Sequence, residues 1–290
     1  MTDEFQSVIQ GKCALPLVSR IVIKLTGEDR VRFFNGQTTQ DIVKCETGTA
    51  LQSAICSAKG KLQGEAVVAR DTDCLIIDFP ESLQEILPGR IEKYIIADDV
   101  EISEAEAPAG AVHFLGETPP ELSHEWKLFK SNRFRTPGWD CWSQSATNDQ
   151  LDFPVASPAI AEHFRIEFFV PKWETDIESD SLAPEFFSQD HAIRYDKGCY
   201  IGQEVIARIK SRGRVNRKCC QLKGPEPAVK VPCDIISSEG KVIGRLTSCQ
   251  ETALEDDRKL KAIATLQASH NEPGTKITLA KQIWKVLQTV

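Results

Sequence analysis

From Cys219 onward the apolar residues come only in short runs: Cys219 to Leu222, Cys233 to Ser237, Lys241 to Leu246, Leu260 to Leu266, Lys276 to Leu279 and Ile283 to Val286. Gly, Pro, Asn and Asp separate them, and no long helical pattern intervenes. That rhythm predicts a small antiparallel β-barrel or sandwich. Helical periodicity is confined to the upstream residues, so the chain is expected to be an α+β region followed by an all-β one. The boundary is placed at 213–218, giving an α+β region of two interleaved subdomains over 1–213 and a barrel over 218–290. A length of 290 residues suits this division.

Upstream, Ser19 to Leu25 alternates apolar and polar residues as a strand does. Thr26-Gly27-Glu28-Asp29 then forms a turn feeding a helix, capped by Asp29 or Thr26, with Val31, Phe33 and Phe34 as its apolar face. Ser53 to Ile55 and Glu65 to Ala69 are expected strands around a turn at Gly60-Lys61, and Cys74 to Phe79 is another. Ser82 to Ile95 has helical spacing that Pro88-Gly89 interrupts. Val100 to Ser103 is a returning strand, and the Pro-, Ala- and Glu-rich stretch from Ala105 to Pro120 predicts loops or a subdomain crossing. Pro184 to Ile193 is expected to be a short helix. Beyond it, Ile201, Val205 and Ile209 share one helical face and Glu204, Arg208 and Arg212 another, in a helix stopped at Gly213.

A net charge of −7 argues against wholesale nucleic-acid binding. One segment departs from it: Arg208, Lys210, Arg212, Arg214, Arg217 and Lys218 are basic, with no acid among them. This is either a solvated loop or an anion site for a polyglutamate tail, a carboxylated cofactor or an RNA backbone. Met1 to Gln10 lacks the basic start and apolar run of a secretory signal, and no apolar segment approaches membrane-spanning length. A soluble cytoplasmic protein is the expectation. The 10 cysteines show no metal-knuckle or redox-pair spacing, so disulfides are not expected and all but Cys199 are expected to be buried small hydrophobes.

Cys199 lies within Asp196-Lys197-Gly198-Cys199-Tyr200-Ile201-Gly202-Gln203-Glu204. Two glycines four apart permit a tight backbone path before a helix, where free amides can meet an anion or a polar ring. A cysteine between a lysine and a helix N-terminus has two reasons for a lowered pKa, hence for a nucleophilic or redox-sensitive thiol. The alternative is a glycine-bounded turn around a buried thiol.

The run Lys-Gly-Cys-Tyr-Ile-Gly-Gln-Glu resembles the signature of the YgfZ family. These folate-binding proteins are related to the T-protein (aminomethyltransferase) of the glycine cleavage system and support assembly or repair of iron–sulfur proteins. Thr26 to Asp29 through Phe33-Phe34-Asn35-Gly36-Gln37, Ser57-Ala58-Lys59-Gly60-Lys61, and Phe164-Arg165-Ile166-Glu167 with Pro171 and Asp176 are similar to further family blocks. So is Gly244-Arg245-Leu246-Thr247-Ser248. The resemblance implies a ring-like multi-domain architecture with a central folate cavity, followed by a C-terminal barrel.

It also implies tetrahydrofolate as cofactor, with Glu167 presenting a carboxylate to the pterin. Gly198, Tyr200, Gly202, Gln203, Glu204 and Arg212 are the accompanying binding residues, and Lys197 and Cys199 the functional pair. The implied partners are folate, transiently engaged iron–sulfur enzymes or assembly proteins, and tRNA; no membrane is implied. No resident metal or cluster is expected, because one motif cysteine cannot supply the four ligands a cluster generally needs. The alternatives are a tetrahydrofolate-dependent aminomethyl or methyl transferase and a tRNA-modification-linked protein. Two departures from the T-protein pattern favour binding and maintenance over independent turnover. Phe168-Phe169 stand where the family has a small residue and Gly, and Ile76 to Ser82 offers Asp78 but no asparagines.

Overall fold

The computed structural model describes residues 2–189, 191–252 and 259–290, with Thr2 and Arg212 described by their backbone alone. Helix α1 (Thr2–Ile9) and strands β1 (Leu15–Pro16) and β2 (Arg20–Thr26) lead to α2 (Arg30–Gln37). An antiparallel meander follows: β3 (Thr49–Cys56), β4 (Leu62–Arg70) and β5 (Leu75–Pro80). Next come α3 (Leu87–Glu92), β6 (Glu101–Ile102), β7 (Gly110–Leu115), β8 (Lys127–Ser131) and β9 (Gly138–Ser143). The strands from β1 to β9 form one sheet in the order β1-β7-β9-β8-β3-β4-β5-β2-β6, in which only β3 and β8 pair in parallel.

Both faces of its central strands are covered. Ile21, Ile23 and Leu25 of β2 and Leu75, Ile77 and Phe79 of β5 point into a core with Phe33 and Phe34 of α2. Their neighbours Val22 and Ile76 point the other way, into a cluster with Ala111, Phe129 and Trp142. The period-2 alternation of a strand therefore serves two apolar layers at once, and the sequence shows near-continuous apolar runs instead of a polar face.

Helices α4 (Pro158–Glu167) and α5 (Gln203–Arg212) come before the C-terminal sheet. That sheet comprises β10 (Arg217–Pro225), β11 (Cys233–Ile236), β12 (Val242–Glu251), β13 (Lys259–Gln267), β14 (Lys276–Leu279) and β15 (Gln282–Thr289). It is antiparallel throughout, in the order β11-β12-β13-β10-β15-β14, and β11 comes back against β14 to close it nearly into a barrel. Trp284, fully buried, fills its interior. A Cβ at Gly224 would lie 2.2 Å from the Trp284 ring, so the indole takes the space a side chain would need. The α+β class with a C-terminal barrel is therefore the observed one.

Three local expectations differ from the structure. Within the stretch expected as loops, Gly110 to Leu115 is an interior strand of the large sheet, its apolar residues disguised by Pro-rich flanks. Pro88 opens α3 rather than interrupting it, since a first-turn proline lacks only an N–H that has no intrahelical partner. Pro184 to Ile193 yields one 3-10 turn, Ala183–Glu185, and no helix among its other described residues. Asp29 does occupy the N-cap of α2, but its carboxylate accepts from the Asp99 N–H at 3.0 Å and from Arg32 instead of capping the helix. No described helix is long and apolar enough to cross a membrane.

Candidate functional site

The segment from Arg194 to Gly202 lies along α2 and the residues just after it, reaching the end of β3 at Gly202. The Arg194 N–H donates to Thr39 O at 2.9 Å and the Ile201 N–H to Gly36 O at 3.0 Å. Lys197 turns inward, and its ammonium donates to the carbonyls of Asn35 (2.7 Å), Thr38 (2.8 Å) and Gln40 (2.5 Å). Three acceptors match the three N–H bonds of an ammonium, although burial pulls the Lys197 pKa down to about 7. The same Nζ sits 5.0 Å from the Tyr200 ring centroid. Tyr200 is buried and its hydroxyl finds no described partner, and that burial pushes its pKa up.

Gly202 has φ +89°, and a Cβ there would stand 2.7 Å from Ser57 O, against the turn between β3 and β4. Gly198 is different: a Cβ on it would meet nothing closer than Asn35 Nδ2 at 3.9 Å. Only one of the two motif glycines is sterically required. Gln203 and Glu204 start α5, half-buried and exposed respectively, while the side chain of Arg212 lies outside the described residues.

Between these anchors Cys199 is held outward. It is the one exposed cysteine of the chain; seven others are buried and Cys233 and Cys249 are half-buried, with none in a disulfide. Burial pushes the Cys56 and Cys220 thiols up to about 12, which leaves them protonated and inert. The sequence expectation that Lys197 flanks the thiol is not what the structure shows, because the ammonium is spent on backbone carbonyls.

Glu167 is the last residue of α4. It is 5% exposed, and its Oε1 accepts from Lys261 Nζ of β13 at 2.5 Å. Gln221 of β10 donates to the carbonyls of Ile166 and Glu167 at 2.8 and 3.0 Å. Two residues earlier on the same junction, Arg165 binds Asp176 at 2.7 Å, Ser248 Oγ at 2.7 Å and Glu162 at 2.5 Å. Asp176 accepts in turn from Thr247 Oγ1 at 2.5 Å and Ser248 Oγ at 2.7 Å. The motif blocks Phe164 to Glu167, Asp176 and Gly244 to Ser248 thus converge on one clamp between α4 and the C-terminal sheet. Phe168 stacks on Phe164 with centroids 4.3 Å apart, and Phe169 is fully buried beneath the Arg135 guanidinium at 4.7 Å.

Beside the clamp lies a cavity of about 410 Å³. Its apolar wall includes Leu17, Val67 and Phe134, and its polar side Arg20, Gln52, Glu65 and Arg133, with Glu162, Arg165 and Lys172 at the α4 end. A chain of ion pairs backs it. Arg20 bridges Glu65 (3.2 Å) and Asp78 (2.7 Å), Arg133 bridges Asp78 and Asp140, and Asp140 meets His113 Nδ1 at 2.6 Å. Burial opposes ionisation of Asp140, but the Arg133 guanidinium and the His113 ring outweigh it and hold the carboxyl below its usual range. Asp78 is fully buried within this chain and faces two guanidinium groups. Glu167, Lys197 and Cys199 are not among the residues lining the cavity. Sequence reasoning missed Arg20, Glu65 and Arg133, which lie on three separate strands or loops and form no local motif.

No protein-family model matches the chain. The tRNA-modifying protein YgfZ of Vibrio vulnificus (strain CMCP6) is 23% identical over 290 residues, covering 91% of this chain and 87% of its own length. That of Cronobacter sakazakii (strain ATCC BAA-894) is 24% identical over 262 residues, covering 82% and 79%. The mitochondrial iron–sulfur cluster assembly factor IBA57 homolog of Dictyostelium discoideum is 18% identical over 250 residues, covering 71% and 61%. Among solved structures, the glycine cleavage system aminomethyltransferase T from Bartonella henselae matches 99% of this chain and 88% of its own with a TM-score of 0.77 at 13% identity. The resemblance to YgfZ proteins holds over nearly the whole chain, and the fold is that of the aminomethyltransferase.

Proposed function

We propose, from this likeness to YgfZ and IBA57-type proteins, that the chain binds a reduced folate and supports the assembly or repair of iron–sulfur enzymes in the cytoplasm. Cys199 is its working thiol. The observation that carries the reading is the placement of the cysteines: nine are wholly or partly buried and one, in the signature motif, is held at the surface by Lys197 and Gly202. A half-buried ammonium and a glycine at positive φ together fix the position of one exposed thiol. Such an arrangement suits transient contact with a client protein better than turnover in a closed site.

The fit of a folate is judged on the cavity beside α4. Its volume of about 410 Å³ lies in the range of ligand clefts, roughly 300–1,000 Å³. Leu17, Val67 and Phe134 offer a flat apolar wall to a pterin, and the Glu65 carboxylate can accept from its amino and ring N–H groups. Lys172 at the far end suits a carboxylate of a glutamate tail, beside an Arg165 whose guanidinium is already taken up by the clamp. Glu167 serves this site from behind: its pair with Lys261 fixes the end of α4, which carries Glu162 and Arg165 to the cavity. A bound tetrahydrofolate supplies the one-carbon chemistry. The paired state of Asp78, locked between Arg20 and Arg133, favours binding over aminomethyl transfer.

Two experiments test the halves separately. Calorimetric titration with tetrahydrofolate is expected to show binding that Glu65→Gln weakens by about tenfold, the scale of a lost charge-assisted hydrogen bond; no binding by the unaltered protein ends the folate assignment. Cys199→Ala is expected to fold and bind folate normally, yet to fail to restore iron–sulfur enzyme activity in a deletion strain. Full restoration by that variant removes Cys199 from the function.

A further inference from the structure

A second cavity of about 410 Å³ lies away from the one beside α4, where the C-terminal half of α5 and residues 213–215 meet β10 and the turn after β13. Among its described lining residues, Lys210, Arg214 and Lys218 face a single acidic side chain, Glu272, in a chain whose net charge is −7. The basic segment is therefore not an evenly solvated loop; three of its cations converge on one concavity. Lys218 spends one N–H on Val290 O at 2.8 Å, and Lys210 one on Gln189 Oε1 at 2.8 Å. Arg214 is exposed and has neither an ion pair nor a side-chain hydrogen bond among the described residues.

The rest of the lining is not what a simple anion would need. Phe187 is 6% exposed and Tyr195 half-buried, and both reach this cavity; Lys210 Nζ lies 3.9 Å from the Tyr195 ring centroid. Asn271, only 5% exposed, also lines it. Its backbone carbonyl accepts from Cys220 Sγ at 4.0 Å, while its side-chain amide bonds to no described residue. The amide atoms stay open to the cavity, where they are free to pair with a ligand that carries both donor and acceptor.

We propose that this cleft binds a nucleotide: its phosphate is held by Arg214 and Lys210, its base packs on the Phe187–Tyr195 wall, and the Asn271 amide pairs with the base edge. An amide matches the adjacent donor and acceptor of adenine. Aromatic surface beside converging cations is the arrangement by which single-stranded nucleic acid is held. The folate reading does not depend on this site, nor the site on that reading.

The test uses the full chain, a 5′-fluorescein hexa-adenylate RNA followed by fluorescence anisotropy, and AMP or inorganic phosphate as competitor. The unaltered protein is expected to bind. The surface double variant Lys210→Gln/Arg214→Gln is expected to weaken binding about tenfold or more and to flatten the slope of log K against log salt by about 0.7, the share of the one phosphate the two cations hold. Asn271→Ala is expected to weaken binding without altering that slope, and the double variant decides the matter should Asn271→Ala not fold. If AMP binds as tightly as the hexamer, the ligand is a free nucleotide; if the hexamer is at least about tenfold tighter, it is an RNA strand. Either supports the proposal. Absence of binding at millimolar RNA, binding indifferent to the double variant, or inorganic phosphate competing as well as AMP overturns it.

Discussion

Lys261 of the C-terminal sheet donates to Glu167 at the end of α4 at 2.5 Å, with both side chains largely withdrawn from water. The carboxylate that the family resemblance assigns to the pterin is thereby engaged at a junction between structural layers. Its neighbours Arg165 and Asp176 knit the same junction to Thr247 and Ser248.

Removing Lys261 takes from the Glu167 carboxylate the ammonium 2.5 Å away. Lys261→Met is expected to cost about 1.5–3 kcal/mol, the scale of a hydrogen bond to a charged group, and Glu167→Gln/Lys261→Met to recover part of it. Urea denaturation of the single and double variants measures both. Equal stability of Lys261→Met and the unaltered chain would show that the pair contributes nothing.

The two glycines of the motif are expected to behave oppositely. Gly202→Ala must hold φ near +89° with a Cβ 2.7 Å from Ser57 O, so it is expected to lose about 1–3 kcal/mol. Gly198→Ala has ordinary space around it and is expected to stay within about 0.5 kcal/mol. Thermal melts of both variants decide the contrast; similar losses would refute the steric account.

Lys197 makes stability depend on pH. Its folded pKa of about 7 lies below the ordinary lysine value of 10.5. Between those two limits the unfolded chain binds the extra proton, so the lysine's contribution to stability rises as pH climbs from about 7 towards 10.5 and is flat below that window. Relative to Lys197→Met, the unaltered chain is expected to gain stability across that range. Parallel urea midpoints for the two proteins, taken from pH 6 to about pH 10, measure it. A constant difference would mean that the three carbonyls keep the ammonium charged throughout.

Mass spectrometry after brief native alkylation with N-ethylmaleimide is expected to find one adduct per chain, on Cys199. Cys233 and Cys249, half-buried, react more slowly, and the seven buried thiols only after unfolding. Comparable labelling at any buried position would contradict the packing described.

Much of the fold was legible because it rests on local chemistry. The short-run texture after Cys219 became a six-stranded sheet, since each run is one strand long and every break but Ala280-Lys281 holds a turn former. The spacing of Val205 and Ile209 became a helix stopped at Gly213, but it starts at Gln203, leaving Ile201 in the turn before it, and its most buried residue is Ile206. β7 was missed, because its apolar residues sit among prolines and acids, and its place inside the sheet comes from pairing with β1 and β9.

The sequence by itself determined the fold class, the resemblance, and the isolation of Cys199 within a glycine-containing turn before a helix. These follow from residue type and spacing along the chain. Only the tertiary structure decided which partner each charge meets: Lys197 with three carbonyls instead of the thiol, Glu167 with Lys261, and Asp78 with two arginines. The reason is physical. A charge withdrawn from water must be met by polar groups within about 3 Å, and for these three residues the partner comes from 55 to 162 residues away in the chain.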